Sequence, residues 1–146
     1  MAAGVITREP YTRDILRLAA AIPAQVGFGE LEGAVEQRSR TCGSRVRVAV
    51  DLDGEGRVAH LRQAVEACAY GQAAAALMGT RAVGLDLDSA QAQLACLEQW
   101  LKGDRPSAAD WPELAALEPA LERPSRHEAI LLPFRALVAA IAAARQ

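Results

Sequence analysis

The sequence is poor in aromatic side chains, in cysteine and in clustered basic charge. Aromatics make up 4% of its 146 residues, which excludes the stacking platforms that hold single-stranded nucleic acid. Lysine and arginine form no basic block and the formal net charge is -2. The electrostatic footprint of a nucleic-acid-binding protein is therefore missing. Three cysteines are an odd number and form no close pairs. That excludes a disulfide framework and leaves a reduced, cytoplasmic setting as the expectation. The opening MAAGVITREP has no apolar core of the signal-peptide kind. The longest apolar stretch, LVAAIAAA, is too short to span a bilayer, so no membrane association is expected. No internal repeat is present.

What is there suffices for one packed core. Hydrophobic residues make up 51% and charged residues 23%, and residues 1–146 read as one domain. YTRDILRLAAAI places Tyr11, Ile15, Leu18, Ala19 and Ile22 at helical spacing, with Pro10 suited to the first turn and Pro23 to the stop. AVEQRS reads as a short strand. SRVRVAVDL alternates, with Val46, Val48 and Val50 on one face and Arg45, Arg47 and Asp51 on the other. DGEG is a turn, and RVAHLRQAVEA reads as the returning strand. YGQAAAALMG has a helical composition. LDLDSAQAQLACLEQWLKG reads as a helix with Asp88 and Gln91 as its capping box and Gly103 as its stop. A proline-punctuated short-helix region follows. The last helix, RHEAILLPFRALVAAIAAA, is expected to kink at Pro133 unless that residue lies in the first turn. Strands followed by helices predict an α+β fold, with helices packed on one face of a small antiparallel sheet of about three strands.

Several chemical motifs have plain readings. In DLDGEGRVAHLR, Asp51, Asp53, Glu55 and Gly56 fit the early places of a calcium loop, but Arg62 stands where a bidentate carboxylate is needed. A hairpin fits better. His60 reads as an exposed strand histidine, and Cys96 as a small apolar residue one turn from Trp100. Cys42 and Cys68 differ. Cys42 and Ser44 share a face with Val46 and Val48, the face the helices should cover. Cys68 stands where a strand hands over to a helix, and free backbone N–H groups there favour a thiolate. A hairpin about DGEG brings residues near 42 and 68 together at its open end. Two buried structural cysteines fit the same spacing. RHEA adds His127 and Glu128 at a helix start.

These stretches resemble the iron–sulfur cluster assembly scaffold family, that of IscU, SufU and the N-terminal part of NifU. YTRDILRLAAAIPAQVGFGELEGA looks like the family's opening helix and connector. RTCGSRVRVAVDLDGEGRVAHLRQAVEACAYGQAAAALM looks like its centre, and RHEAILLPFRALVAAI like its final helix. The proline-rich interval is closer to the SufU form. The family's first two cysteines fall on Cys42 and Cys68, its aspartate on Ser44 and its third cysteine on Ala129. Glu128 stands where many relatives have histidine, with His127 one residue earlier. The chaperone-recognition run is reduced to Pro124 and Arg126, which speaks against a dedicated Hsp70 partner. The resemblance implies a scaffold rather than an enzyme. Iron or a transient iron–sulfur cluster would be held by Cys42 and Cys68, with His127 or Glu128 completing the site and Ser44 beside it. A cysteine desulfurase and cluster-receiving clients are the implied partners. A zinc-dependent sulfur acceptor with Zn on the same residues, or a non-catalytic binding module on the same fold, are the other readings.

Overall fold

In a computed structural model that describes residues 12–31, 33–40, 43–104 and 111–146, the alternating valines become the middle strand of a sheet. The strands are β1 (Val35–Arg38), β2 (Arg45–Leu52) and β3 (Val58–Glu66), in the antiparallel order β1-β2-β3. The helices are α1 (Arg13–Ala19), α2 (Ala69–Arg81), α3 (Leu87–Leu101) and α4 (His127–Ala144), with 3-10 turns at Phe28–Glu30, Pro112–Glu122 and Pro124–Arg126. The expected α+β class, with a three-stranded antiparallel sheet, is what the chain forms. DGEG closes the β2–β3 hairpin, and there Asp53 Oδ1 accepts from the Glu55 and Arg57 amides. These donors hold its carboxyl below the ordinary carboxylate range, so the carboxylate serves the turn.

Strand alternation sorts the sheet into two unlike faces. Val46, Val48 and Val65 are buried under the helices. α4 supplies the middle of that layer and packs on α2, α3, β1 and β2. Its Phe134, Leu137 and Ile141 are fully buried, each contributing about 1.5–3 kcal/mol. Residues 124–144 are long and apolar enough to cross a membrane by length and composition, and 56% of the 18-residue apolar window within them is buried inside the protein. The uninterrupted run LVAAIAAA understated this length, because a helix of this kind tolerates Glu128 and Arg135 within it. Pro133 lies in the interior of α4, so no residue-133 amide is present to bond the Ala129 carbonyl.

Two helix boundaries differ from expectation. α1 ends at Ala19, with Ala20 as its C-cap, so Ile22 is outside it. The residue before a proline is pushed toward extended backbone, and Pro23 acts one residue ahead of itself. Tyr11 and Pro10 lie outside the described residues. The capping box of α3 is Asp86 with Ser89, two residues before the expected Asp88 and Gln91. The reason is tertiary: Val58 N–H donates to Leu85 O and Gly84 N–H to Val58 O. The chain is fastened to β3 until residue 85 and coils directly afterwards. Gly103, at φ 78°, follows the helix as expected.

One polar side chain organises the buried face. Gln63 is 0% exposed, and its Nε2 donates to Pro23 O and Ala75 O. Its backbone bonds Ala24 O and Val26 N, forming a parallel bridge at Gln25. This grip holds Ala24 at φ 57°, a left-handed conformation costly for alanine. Gly79 gives the space. Ala there would gain about 1 kcal/mol of helix propensity, but its Cβ would lie 2.5 Å from Pro23 Cγ and 2.8 Å from Gln63 Nε2. Overpacking costs about 1–3 kcal/mol, so Gly79→Ala is expected to lower the urea midpoint. An unchanged or raised midpoint would mean the contact is loose.

The other face carries arginines, but they are not simply solvated. Phe28 lies under two guanidiniums, 4.0 Å from Arg45 Cζ and 5.1 Å from Arg47 Cζ. Arg47 donates to Glu36 at 2.7 Å and to Phe28 O at 2.9 Å, and Arg38 also pairs with Glu36. Leu31, Ala49 and Ala64 form a small apolar cluster beside them. Hydrogen bonds from Arg38 and then Arg47 lower the Glu36 carboxyl from 4.5 to about 2. A depressed carboxylate stabilises the fold above its unfolded pKa, and that contribution fades as pH falls through the folded value. The stability gap between wild type and Glu36→Gln should therefore be constant above about pH 5 and shrink as pH falls toward about 2. Denaturant titrations across that window check it; a pH-independent gap would refute it.

Candidate functional site

The open end of the β2–β3 hairpin, the β1–β2 turn and the starts of α2 and α4 meet at one place. The strand register pairs Arg45 with Glu66 at the hairpin's open end. Arg45 Nε and Nη2 reach the two Glu66 oxygens at 2.7 and 3.1 Å, and this pairing lowers the Glu66 carboxyl. Two residues later Cys68 is the N-cap of α2, in extended backbone with φ -66° and ψ 171°. Its side chain makes no capping hydrogen bond, and the thiol is free and half-buried. The expected strand–cysteine–helix junction is thus formed.

On the other side of the site, Ser39 N–H donates to Ser44 O at 2.8 Å and closes the β1–β2 turn. Ser44 is 4% exposed, on the same strand face as Val46 and Val48. Gly43 takes φ 72°, where a side chain would be strained. Cys42 lies outside the described residues, and so does Thr41.

Three consecutive residues of α4 each meet a different part of the molecule. His127 Nε2 is 2.7 Å from Ala120 O in the proline-rich 3-10 segment. Glu128 Oε1 accepts from Ser39 Oγ–H and from the Arg40 amide at 3.1 Å. Ala129 is 1% exposed and faces Gly71. The structure therefore brings Glu128 to the β1–β2 turn and Ala129 to the first turn of α2, one turn past Cys68. His127 is turned to the 3-10 segment. His60 is exposed on the far sheet face opposite Asp51, and Cys96 sits half-buried within α3. Among the described residues no three His, Cys, Asp or Glu side chains group closely enough to hold a metal ion.

Ser39, Arg40 and Gly71 belong to the site and were not singled out by sequence. Gly71 left one signal: a glycine in the first turn of an alanine-rich helix costs about 1 kcal/mol against alanine, so something must approach closely. A Cβ at Gly71 would lie 2.7 Å from Ala67 Cβ and 3.3 Å from Ala129 O. Gly71→Ala is expected to lever the start of α2 off α4. Alkylation of Cys68 should then speed up several-fold relative to Cys96 in the same protein, read by peptide mass spectrometry. An unchanged ratio would count against the seam as the element that sets the exposure of Cys68.

The family model described as NifU-like N terminal domain matches residues 11–116. The matched span takes in Cys42 and Cys68 and stops before α4. No curated protein matched the chain. Among solved structures, the N-terminal region of a nitrogen-fixing NifU-like protein from Brucella abortus is 26% identical and superposes with a TM-score of 0.79, over 92% of this chain and 93% of that one. A protein from the thermophile Fervidobacterium islandicum AW-1, assigned as an iron–sulfur cluster assembly scaffold for the SUF system, gives a TM-score of 0.77 at 19% identity, over 90% and 96%. At that identity the likeness speaks for the fold alone. With the hairpin, the cysteine at the start of α2 and the family match together, the chain belongs to the NifU-like N-terminal domain family, the scaffold family of iron–sulfur cluster assembly.

Proposed function

We propose that this protein is a scaffold that takes iron or a transient iron–sulfur cluster as cargo on the thiolates of Cys42 and Cys68 and passes it to client proteins. The observation that carries the reading is Cys68. Its thiol is free, stands at the N-cap of a helix with no side chain capping that helix, and adjoins the hairpin end from which the other thiolate is expected. Soft thiolates suit iron–sulfur cargo. The donor set is short of the family's, since Ser44 and Ala129 replace an aspartate and a cysteine. Weak ligation is compatible with a cargo that must leave.

His127 is the candidate third donor. The Ala120 carbonyl can only accept, so Nε2 carries the proton in the neutral ring and Nδ1 keeps its lone pair. Ligating histidines are commonly oriented in this way, with the other ring nitrogen donating to a backbone carbonyl. A cysteine desulfurase supplying sulfur and apo-proteins receiving the cluster are the partners this role requires. A reducing compartment keeps the thiols available.

Anaerobic reconstitution with ferric iron and sulfide tests the reading. Wild type is expected to develop thiolate-to-iron charge-transfer absorbance, and the double variant Cys42→Ala, Cys68→Ala to lose it. No absorbance from wild type, or equal absorbance from both proteins, would sink it.

A further inference from the structure

Glu128 stands beside the candidate site with a carboxylate, so the first expectation is a metal ligand. Its surroundings already commit one of its two oxygens to the fold. The Ser39 hydroxyl and the Arg40 amide both donate to the same oxygen, Oε1. A carboxylate oxygen offers about two lone-pair directions, and two donors occupy them. A cation taking Oε1 would have to displace one of these charge-assisted bonds, which are about twice as strong as neutral ones. The donors come from residues 88 and 89 positions away in sequence. They sit on the turn that Ser39 N–H closes with Ser44 O. The partner residues of Glu128 on α4 are themselves fixed, His127 by Ala120 O and Ala129 by the Gly71 seam. The carboxylate is thus mounted on a rigid helix start and reaches across to one strand turn.

We propose that Glu128 is a positioning residue: it clamps the β1–β2 turn to the first turn of α4, and it serves the cargo site by fixing that turn instead of ligating metal. The inference rests on the scaffold reading, in which Cys42 follows Arg40 by two residues and carries cargo. Removing the clamp leaves the Arg40 amide without this acceptor and lets the turn move relative to α2 and α4. Cargo affinity then falls because its donors are no longer held in register.

Glutamine separates clamp from ligand. The Gln side-chain oxygen accepts two hydrogen bonds but brings no negative charge to a cation. Two readouts are taken on wild type, Glu128→Gln and Glu128→Ala. One is hydrogen exchange of the Arg40 amide in metal-free protein. The other is ferrous-ion affinity by chelator competition. The clamp predicts that Gln stays within about threefold of wild type in both. It predicts that Ala exchanges Arg40 at least about tenfold faster and binds iron about 10–100-fold more weakly, the usual cost of losing a residue that orients ligands. Glu128→Gln binding iron as poorly as Glu128→Ala, with Arg40 still protected, would make Glu128 a ligand and overturn the proposal. Wild-type behaviour of Glu128→Ala in both readouts would overturn it as well. If wild type binds no iron, the scaffold reading falls, and the exchange comparison alone decides whether Glu128 holds the turn.

Discussion

Everything around Cys68 depends on how closely α2 and α4 approach at Gly71 and Ala129. Proline at position 133 removes the amide that would have bonded the Ala129 carbonyl inside α4. Glycine at position 71 removes the side chain that would have kept α2 away from that carbonyl. The two omissions are complementary. A carbonyl deprived of its helical donor meets a backbone with nothing on its Cα, and Cα–H contacts of this kind recur where helices pack closely. Neither residue is good for its own helix. Proline in an interior costs about 3 kcal/mol and glycine about 1, so the close seam must return that cost through the packing of two buried helices. Ala73, Ala74 and Leu77 of α2 and Ile130 and Phe134 of α4 are all buried.

Once the seam is fixed, the start of α4 becomes a rigid base. His127, Glu128 and Ala129 point to the 3-10 segment, the β1–β2 turn and α2 respectively. Three successive residues can do this because neighbouring side chains on a helix diverge by about 100°. The same divergence sets the surroundings of residue 129. Residue 129 takes the direction that faces Gly71 and is closed to solvent, and alanine fits that contact without demanding more room.

The strands, the hairpin and the cysteine at a helix start were legible because their signals are local. Alternating Val and Arg in residues 45–50, the Asp and Gly residues of the turn, and Cys68 before an alanine-rich run need only a few neighbours to interpret. The features that escaped depend on distant partners. Gln63 breaks the apolar pattern of its strand, and its burial makes sense only beside Pro23 and Ala75. Asp86 and Asp88 present equivalent capping signals, and the choice between them is made by the hold of β3 on residues 84 and 85. The alternation places Arg45 and Arg47 on one face but carries no sign of Phe28, in a turn before the sheet, that lies against them. Glu128 read as a candidate metal ligand, and the donors that hold it are more than 80 residues away.

The helices α2 and α3 are capped in opposite ways, and the contrast bears on function. α3 begins with a reciprocal box in which Ser89 N–H donates to Asp86 Oδ1 and Asp86 N–H to Ser89 Oγ. α2 begins with Cys68, whose side chain caps nothing. Serine or aspartate at that position would typically add about 1 kcal/mol, so the chain forgoes a stabilisation it uses elsewhere. What it keeps is a helix start whose first amides are not taken up by a capping side chain and a thiol that makes no capping bond. The positive end of the helix dipole then acts on whatever negative charge that sulfur carries, its own or that of a bound cargo. The seam at Gly71 and Ala129 makes the arrangement affordable, because it supplies by packing the anchorage that a cap would have given α2.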